Sequence, residues 1–303
     1  MFWKKEKARP QLKAAPELTS ASPPSPVEPP EASRVVFETR LDRAACEAAC
    51  EGVHFYHAFD LSNGLHVPGD WDISHDVSRY RLPDLRGKRV LDIGPASGWF
   101  SFYFEKLGAD VTVVETRGYG DFDVYGEDRY TGAQGRPADR TIDGRDIWFG
   151  PVSGSFWAMH DMLNSKVKFV NGRIYEVGPD LLPEPFDLVF VGALLPHLRD
   201  PIGALRAART VCQPDGLCIA TATTWPAQDE NPDPVQMLPY TSIDKISWWL
   251  PNKAAYSHWF RAAGYRDVDV EDGLEYTPDR EVFLDNGVRM NNPMKVRLAH
   301  ARP

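Results

Sequence analysis

Residues 89–115 read RVLDIGPASGWFSFYFEKLGADVTVVE, and this stretch limits the possible folds more than any other part of the chain. An apolar run enters Asp92 and Gly94, a tight turn follows, Gly98 opens an amphipathic segment, and a second apolar run ends on Glu115. That order is the opening of a nucleotide-binding βαβ unit. It predicts parallel strands at 89–93 and 111–114. The helix between them places Trp99, Phe100, Tyr103, Phe104 and Leu107 on one face and stops at Gly108.

Further apolar runs predict strands at 167–170, 188–191 and 217–222. Helical patterns lie at 156–163, at 201–211, and from Asn252, a capping residue, to Gly264. Strands that alternate with helices give an α/β fold, a mostly parallel sheet covered on both faces. Upstream, residues 1–33 hold seven prolines and are expected to be a disordered tail. Residues 34–86 form an N-terminal lid or hairpin segment packed on the core. There 41–51 is helix-prone, and FYHAFDL pairs with GLHVPG through a Ser62-Asn63-Gly64 turn. The domain built on the nucleotide-binding unit is expected to span 87–303. Two long irregular stretches, 116–166 and 223–250, leave the sheet near its carboxyl side, where ligands bind in such folds.

Composition narrows the function. Net charge is −9, and the first 33 residues carry five Lys/Arg against four Glu, which leaves −10 on the body. A body that acidic does not advertise nucleic-acid binding. The longest apolar run, 188–195, falls far short of the roughly 20 residues of a membrane span. The start MFWKKEKARP has no apolar signal core. Cys46, Cys50, Cys212 and Cys218 lack metal-ligand spacing and read as unbridged thiols, so the chain is expected in the cytoplasm, with no metal and no membrane partner.

The turn Gly94-Pro95-Ala96-Ser97-Gly98 spaces its small residues as G-x-A-x-G, not as the G-x-G-x-x-G of dinucleotide sites. A pyrophosphate would be repelled by Asp92 beside the turn. S-adenosylmethionine (SAM) has no phosphate and carries a cationic sulfonium, so an acid suits it. Glu115, 21 residues beyond Gly94, is placed to accept ribose hydroxyls.

On Leu91 to Gly98 and Glu115, the chain resembles the class I SAM-dependent methyltransferases. Tyr56-His57, Trp71, Leu82 to Arg89, Phe186 to Phe190, His197 to Pro201, Trp248 to Asn252 and His300 to Pro303 are similar to the family that includes the tRNA wobble-uridine methyl- and carboxymethyl-transferring enzymes. The resemblance runs from about Phe55 to Pro303. It implies a Rossmann-like, seven-stranded, mostly parallel sheet. It also implies that Asp92, Gly94, Ala96 and Gly98 cradle the methionine part of SAM and that Glu115 holds the ribose. Gly172 and Arg173 would border the adenine, and the backbone of Gly192 and Ala193 would face the methyl group.

Two departures bear on the cofactor. The wobble-uridine enzymes use a carboxylated SAM, and the resemblance implies a tyrosine and a lysine near its carboxylate. Here those positions hold Pro196 and Asp72, so ordinary SAM is favoured over carboxy-SAM. His197, just past a strand, is the candidate general base, against a packing role in the HLRDP turn. Tyr56, His57, Trp71, Trp225, Tyr240 and Trp249 are candidate walls for an apolar or planar acceptor, although Trp249 also suits core packing. The favoured reading is methyl transfer to an oxygen or nitrogen of a small molecule. The alternatives are tRNA wobble-uridine modification and a non-catalytic SAM-fold module, the last opposed by intact Asp92, Gly94, Gly98 and Glu115.

Overall fold

A computed structural model describes residues 34–116, 123, 140–142, 145–147, 154–224, 226–237, 247–280, 282–283, 289–290 and 294–303. Contacts divide the chain into units Met1–Ala32 and Ser33–Pro303, and every described residue belongs to the second.

The N-terminal segment contributes β1 (Val36–Phe37), α1 (Arg43–Cys50), β2 (Phe59–Leu61), β3 (His66–Val67) and β4 (Trp71–Asp72). The nucleotide-binding unit follows as β5 (Arg89–Ile93), α2 (Trp99–Lys106) and β6 (Asp110–Glu115). Then come a small hairpin of β7 (Arg140–Ile142) and β8 (Arg145–Ile147), α3 (Gly154–Met162) and β9 (Lys168–Asn171). The second half holds β10 (Phe186–Val191), α4 (Pro201–Thr210), β11 (Cys212–Thr223), β12 (Gln236–Met237), β13 (Leu250–Pro251) and α5 (Lys253–Ala262). It closes with β14 (Arg266–Pro278), β15 (Val282–Phe283), β16 (Arg289–Met290) and β17 (Met294–Arg302).

The main sheet runs β4-β14-β17-β11-β10-β5-β6-β9. The five strands from β11 to β9 are parallel, and β17, β14 and β4 are antiparallel additions. Five of these match the strands read from the sequence, and β14 and β17 bring the count to the seven that the resemblance implies. The eighth, β4, is a two-residue edge strand lent by the N-terminal segment. The expected hairpin also forms, with Phe59 opposite Val67 and Asn63 Oδ1 accepting the Leu65 N–H at 3.0 Å.

Strand alternation divides the core in two. Val90, Val113, Leu188 and Phe190 face one layer, built from α2, α3 and the N-terminal segment. Leu91, Ile93, Val189 and Val191 face the other, built on α4 and α5. Asp200 caps α4 by accepting the Gly203 N–H at 2.7 Å, and Asn252 caps α5 by accepting that of Ala255 at 2.8 Å. The helix α2 differs from its one-faced pattern. Phe102, off the expected stripe, is buried because α3 covers it, with the Phe102 and Phe156 rings stacked 5.2 Å apart. All four cysteines are unbridged.

Chain order reverses between β5 and β10: from β5 the chain moves to β6 and β9, then returns to β10 and β11 on the other side. The crevice at the carboxyl ends of such neighbours is where open α/β sheets bind ligands.

Candidate functional site

Three residues of the turn after β5 hold positive φ: Gly94 (73°), Ala96 (51°) and Gly98 (83°). Ala96 occupies the left-handed region with a Cβ, at a cost of about 1–2 kcal/mol. Gly98 is required by packing as well as by φ, since a Cβ there would lie 2.6 Å from Phe102 and 2.7 Å from Phe156. At Gly94 a Cβ would stand 3.0 Å from Leu194, so this turn touches the loop after β10.

Asp92 is 2 % exposed and accepts one hydrogen bond, from Ser101 Oγ at 2.6 Å. Burial pushes its carboxyl up to about 7, against the opposing effect of Ser101. Glu115 ends β6, where its Oε1 accepts the Thr116 N–H at 2.7 Å and the Thr116 hydroxyl at 3.1 Å. Burial again dominates and raises it to about 7, although Thr116 and the Ala96 backbone donate to it. Neither carboxylate has a cationic partner among the described residues. Two buried acids without counter-charge at the ends of adjacent strands suit a ligand that brings cationic and hydroxyl groups.

The turn is tied to the segment above it. Ser97, fully buried, accepts the Tyr56 N–H at 2.7 Å and that of His57 at 3.4 Å, and its Oγ lies 2.9 Å from Ser155 Oγ on α3. The Tyr56 carbonyl in turn accepts the Trp71 N–H at 3.0 Å. His57 and Trp71 are buried, and the Tyr56 ring sits edge-on to His57 with centroids 4.9 Å apart. Burial drives the His57 imidazole down to about 3, so it is neutral. Its Nδ1 has no hydrogen-bond partner among the described residues.

Beyond β10, Ala193 takes φ 49° and donates its N–H to Thr221 Oγ1 at 2.9 Å. A Cβ on Gly192 would meet Phe190 at 2.8 Å. Past β9, Gly172 donates to the Glu115 carbonyl at 3.0 Å, and the Arg173 N–H donates to Glu176 at 3.0 Å. The first bond places Gly172 beside the end of β6, and the second caps the short turn Ile174–Glu176 that follows.

His197 ends a short 3-10 turn, Leu195–His197, and its Nδ1 lies 3.3 Å from Ser247 Oγ. Trp249 donates its indole N–H to the Arg199 carbonyl at 3.1 Å, so it braces the start of α4. Trp225 and Tyr240 lie outside the described residues. The structure therefore gathers Asp92, Gly94, Ala96, Gly98, Glu115, Tyr56 and His57 around one turn, and Gly192 and Ala193 belong to the loop that touches it. Trp249 belongs to a neighbouring cluster with His197.

Asp72 was expected to repel a carboxylated ligand. Its carboxylate is instead held by Arg34 Nη2 at 2.9 Å, His75 Nε2 at 2.8 Å and the Ser74 N–H and hydroxyl. Its charge is answered within the N-terminal segment and carries no weight against an anionic ligand.

Sequence reasoning missed Ser97 as a junction and Thr221 as the anchor of Ala193. It also missed Asp123, which accepts from the Tyr175 hydroxyl and the Arg199 N–H, both at 2.7 Å. These are contacts between residues 28 to 76 positions apart, and local pattern carries no signal for them.

A family model described as a methyltransferase domain matches residues 69–270. The chain belongs to the methyltransferase domain family. Among curated proteins it is 27% identical over 215 residues to a tRNA U34 carboxymethyltransferase of Pseudomonas putida, covering 71% of this chain and 57% of that protein. It is 25% identical over 222 residues to the enzyme of that name from Idiomarina loihiensis, with the same two coverages. The chain thus spans less than three fifths of the length of these relatives. Among solved structures it is similar to Burkholderia thailandensis 1,6-didemethyltoxoflavin-N1-methyltransferase at a TM-score of 0.44 and 15% identity, covering 72% of this chain and 71% of that one.

Proposed function

We propose that this methyltransferase binds SAM at the carboxyl ends of β5, β6 and β10 and methylates an oxygen or nitrogen of a small-molecule acceptor. The observation that carries the cofactor is the pair Asp92 and Glu115, two buried carboxylates with no cation beside them among the described residues. Asp92 and the Gly94–Gly98 turn would hold the methionine end, Glu115 the ribose, and the backbone at Gly172 and Arg173 the adenine border. When bound, SAM supplies an electrophilic methyl on a sulfonium leaving group.

The chain's own residues then have two tasks. One is alignment: holding the acceptor in line with the methyl supplies most of the rate in such a displacement. The segment fastened to Ser97 through Tyr56, with His57 and Trp71 buried in it, is suited to that task. The other task arises only for an acceptor that must lose a proton, and His197 is the candidate to take it. A small molecule is favoured by the −10 carried by the body of the chain. Ordinary SAM is favoured by Pro196, which stands where the carboxylated cofactor's enzymes carry tyrosine.

A second reading, modification of a tRNA wobble uridine, is supported by the names of the curated relatives. It requires binding to tRNA that weakens steeply with salt. One experiment addresses both: isothermal titration with SAM, then transfer from methyl-labelled SAM to separated metabolite and tRNA pools, read by mass. Label in the metabolite pool is expected. Label in tRNA alone selects the second reading, and absence of SAM binding by folded protein removes the first.

A further inference from the structure

We infer that Thr221, backed by Tyr276, is a positioning residue that sets the Gly192–Ala193 backbone against the methyl group to be transferred. The inference rests on the cofactor reading above and adds to it a device that the sequence does not advertise.

The device is a chain of buried hydroxyls. Ala193 carries a Cβ yet holds φ 49°, a conformation that costs about 1–2 kcal/mol and persists only where the surroundings fix it. Its N–H donates to Thr221 Oγ1 at 2.9 Å. Thr221 lies in β11 between Ala220 and Ala222, all three fully buried, where an apolar side chain would satisfy the core equally well. A hydroxyl at such a position needs partners, and it has them. Thr221 Oγ1 lies 3.0 Å from the Tyr276 hydroxyl on β14, and that hydroxyl lies 3.5 Å from Tyr80 OH. Both tyrosines are 2 % exposed.

The direction of the chain matters. Tyr80 closes the 3-10 turn Ser74–Tyr80, which belongs to the N-terminal segment. Its hydroxyl, through Tyr276 and Thr221, reaches the backbone of the loop after β10. That segment is also fastened to the Gly94–Gly98 turn through Tyr56 and Ser97. The same segment thus braces both loops of the crevice. Thr221 touches no ligand position directly and acts through the Ala193 amide.

The test uses the full-length chain and compares affinities for SAM and for S-adenosylhomocysteine by isothermal titration. The two ligands differ only in the methyl and its charge, so their affinity ratio reports the surroundings of the methyl. Thr221→Val keeps the shape and removes the hydroxyl. It is expected to shift the ratio about five- to tenfold, the scale of one lost hydrogen bond. Thr221→Ser, which restores the acceptor, should return the ratio to within about twofold of wild type. A folded Thr221→Val variant that keeps the wild-type ratio overturns the inference. So does one that weakens both ligands equally while lowering Tm, since that is a structural role alone. Should Thr221→Val fail to fold, Tyr276→Phe decides in its place, and an unchanged ratio there overturns the inference. If the wild-type chain binds neither ligand, the cofactor reading fails first and takes this one with it.

Discussion

The backbone N–H of Tyr56 donates to the side-chain oxygen of Ser97 at 2.7 Å, across 41 residues of sequence. Ser97 is the fourth residue of the turn that would cradle the cofactor, so the N-terminal segment is bonded to that turn itself. Ser155 on α3 joins the same oxygen at 2.9 Å. One buried hydroxyl therefore holds three separate pieces of chain. Ser97→Ala strips Tyr56 and Ser155 of their partner. It is expected to lower stability by about 1–3 kcal/mol and to weaken SAM binding, because the turn loses its brace. Urea unfolding and titration with SAM check the two halves, and a variant with wild-type stability would show that the junction is dispensable.

Stability should fall as pH rises from about 5 to 7.5. Asp92 and Glu115 hold their protons to about 7 in the folded chain, well above their ordinary values. Folded protein therefore binds more protons than unfolded protein in that range, and the slope is negative. His57 acts oppositely. Held down to about 3 by burial, it carries a penalty that shrinks with rising pH until the unfolded imidazole has titrated near 6.5. The decline is thus steepest between about pH 6.5 and 7, where His57 no longer offsets the acids. His66 adds to the fall: burial opposes its protonation, but Asp60 and Asp279 outweigh that and raise it. Glu115→Gln removes one acid and should flatten the curve. Melting temperatures of both proteins from pH 5 to 8 give the comparison, and identical slopes would refute the assignment.

Bound ligand should reverse part of that trend. A ligand whose hydroxyl or cationic groups face these carboxylates favours their charged forms and draws them below 7. SAM binding is then accompanied by proton release near pH 7, and affinity rises with pH between about 6 and 8. Titration in two buffers of different ionisation heat counts the protons directly. Proton uptake on binding would exclude carboxylate contact with the ligand.

Arg297 illustrates a different dependence. It is 5 % exposed on β17, pairs with Asp229 and Asp272, and Asp229 also accepts the Lys253 N–H at 3.0 Å at the start of α5. Loop, helix and sheet meet on this one guanidinium. Arg297→Ala leaves a cavity, takes from Asp229 its cation and leaves Asp272 only Lys253 at 3.5 Å, an expected loss of about 2–4 kcal/mol. Arg297→Met fills the space and should lose less. Equal losses from the two substitutions would mean that charge, not volume, governs the site.

What was legible in the sequence follows from how far apart the cooperating residues lie. The β5–α2–β6 unit is written in local period and in Gly98, and the α5 start in Asn252, whose side chain bonds three residues ahead. Asp92 and Glu115 were readable because motif spacing fixes them. The eighth strand was not, because Trp71–Asp72 is too short to show a period and pairs with Thr277 and Pro278, some 200 residues away. The hydroxyls of Thr221 and Tyr276 were hidden for the same reason. Each looks like an ordinary strand residue until the sheet brings them to 3.0 Å.

At His57, stability and activity are expected to part. A neutral imidazole, 94 % buried by its 6 % exposure, with Nδ1 unbonded among the described residues, is a cost to the fold. An unpaired buried nitrogen persists where some other task retains it, and His57 adjoins the Ser97 turn through its own N–H. His57→Leu replaces the ring with an apolar side chain that needs no partner and leaves the backbone bond to Ser97 in place. Its Tm should match or exceed that of wild type, while transfer of labelled methyl to the acceptor pool falls at least about tenfold, as at sites where function is kept at the expense of stability. Unfolding and transfer are measured on the same preparation. A variant that loses stability and keeps transfer would make His57 a core residue and remove it from the acceptor wall.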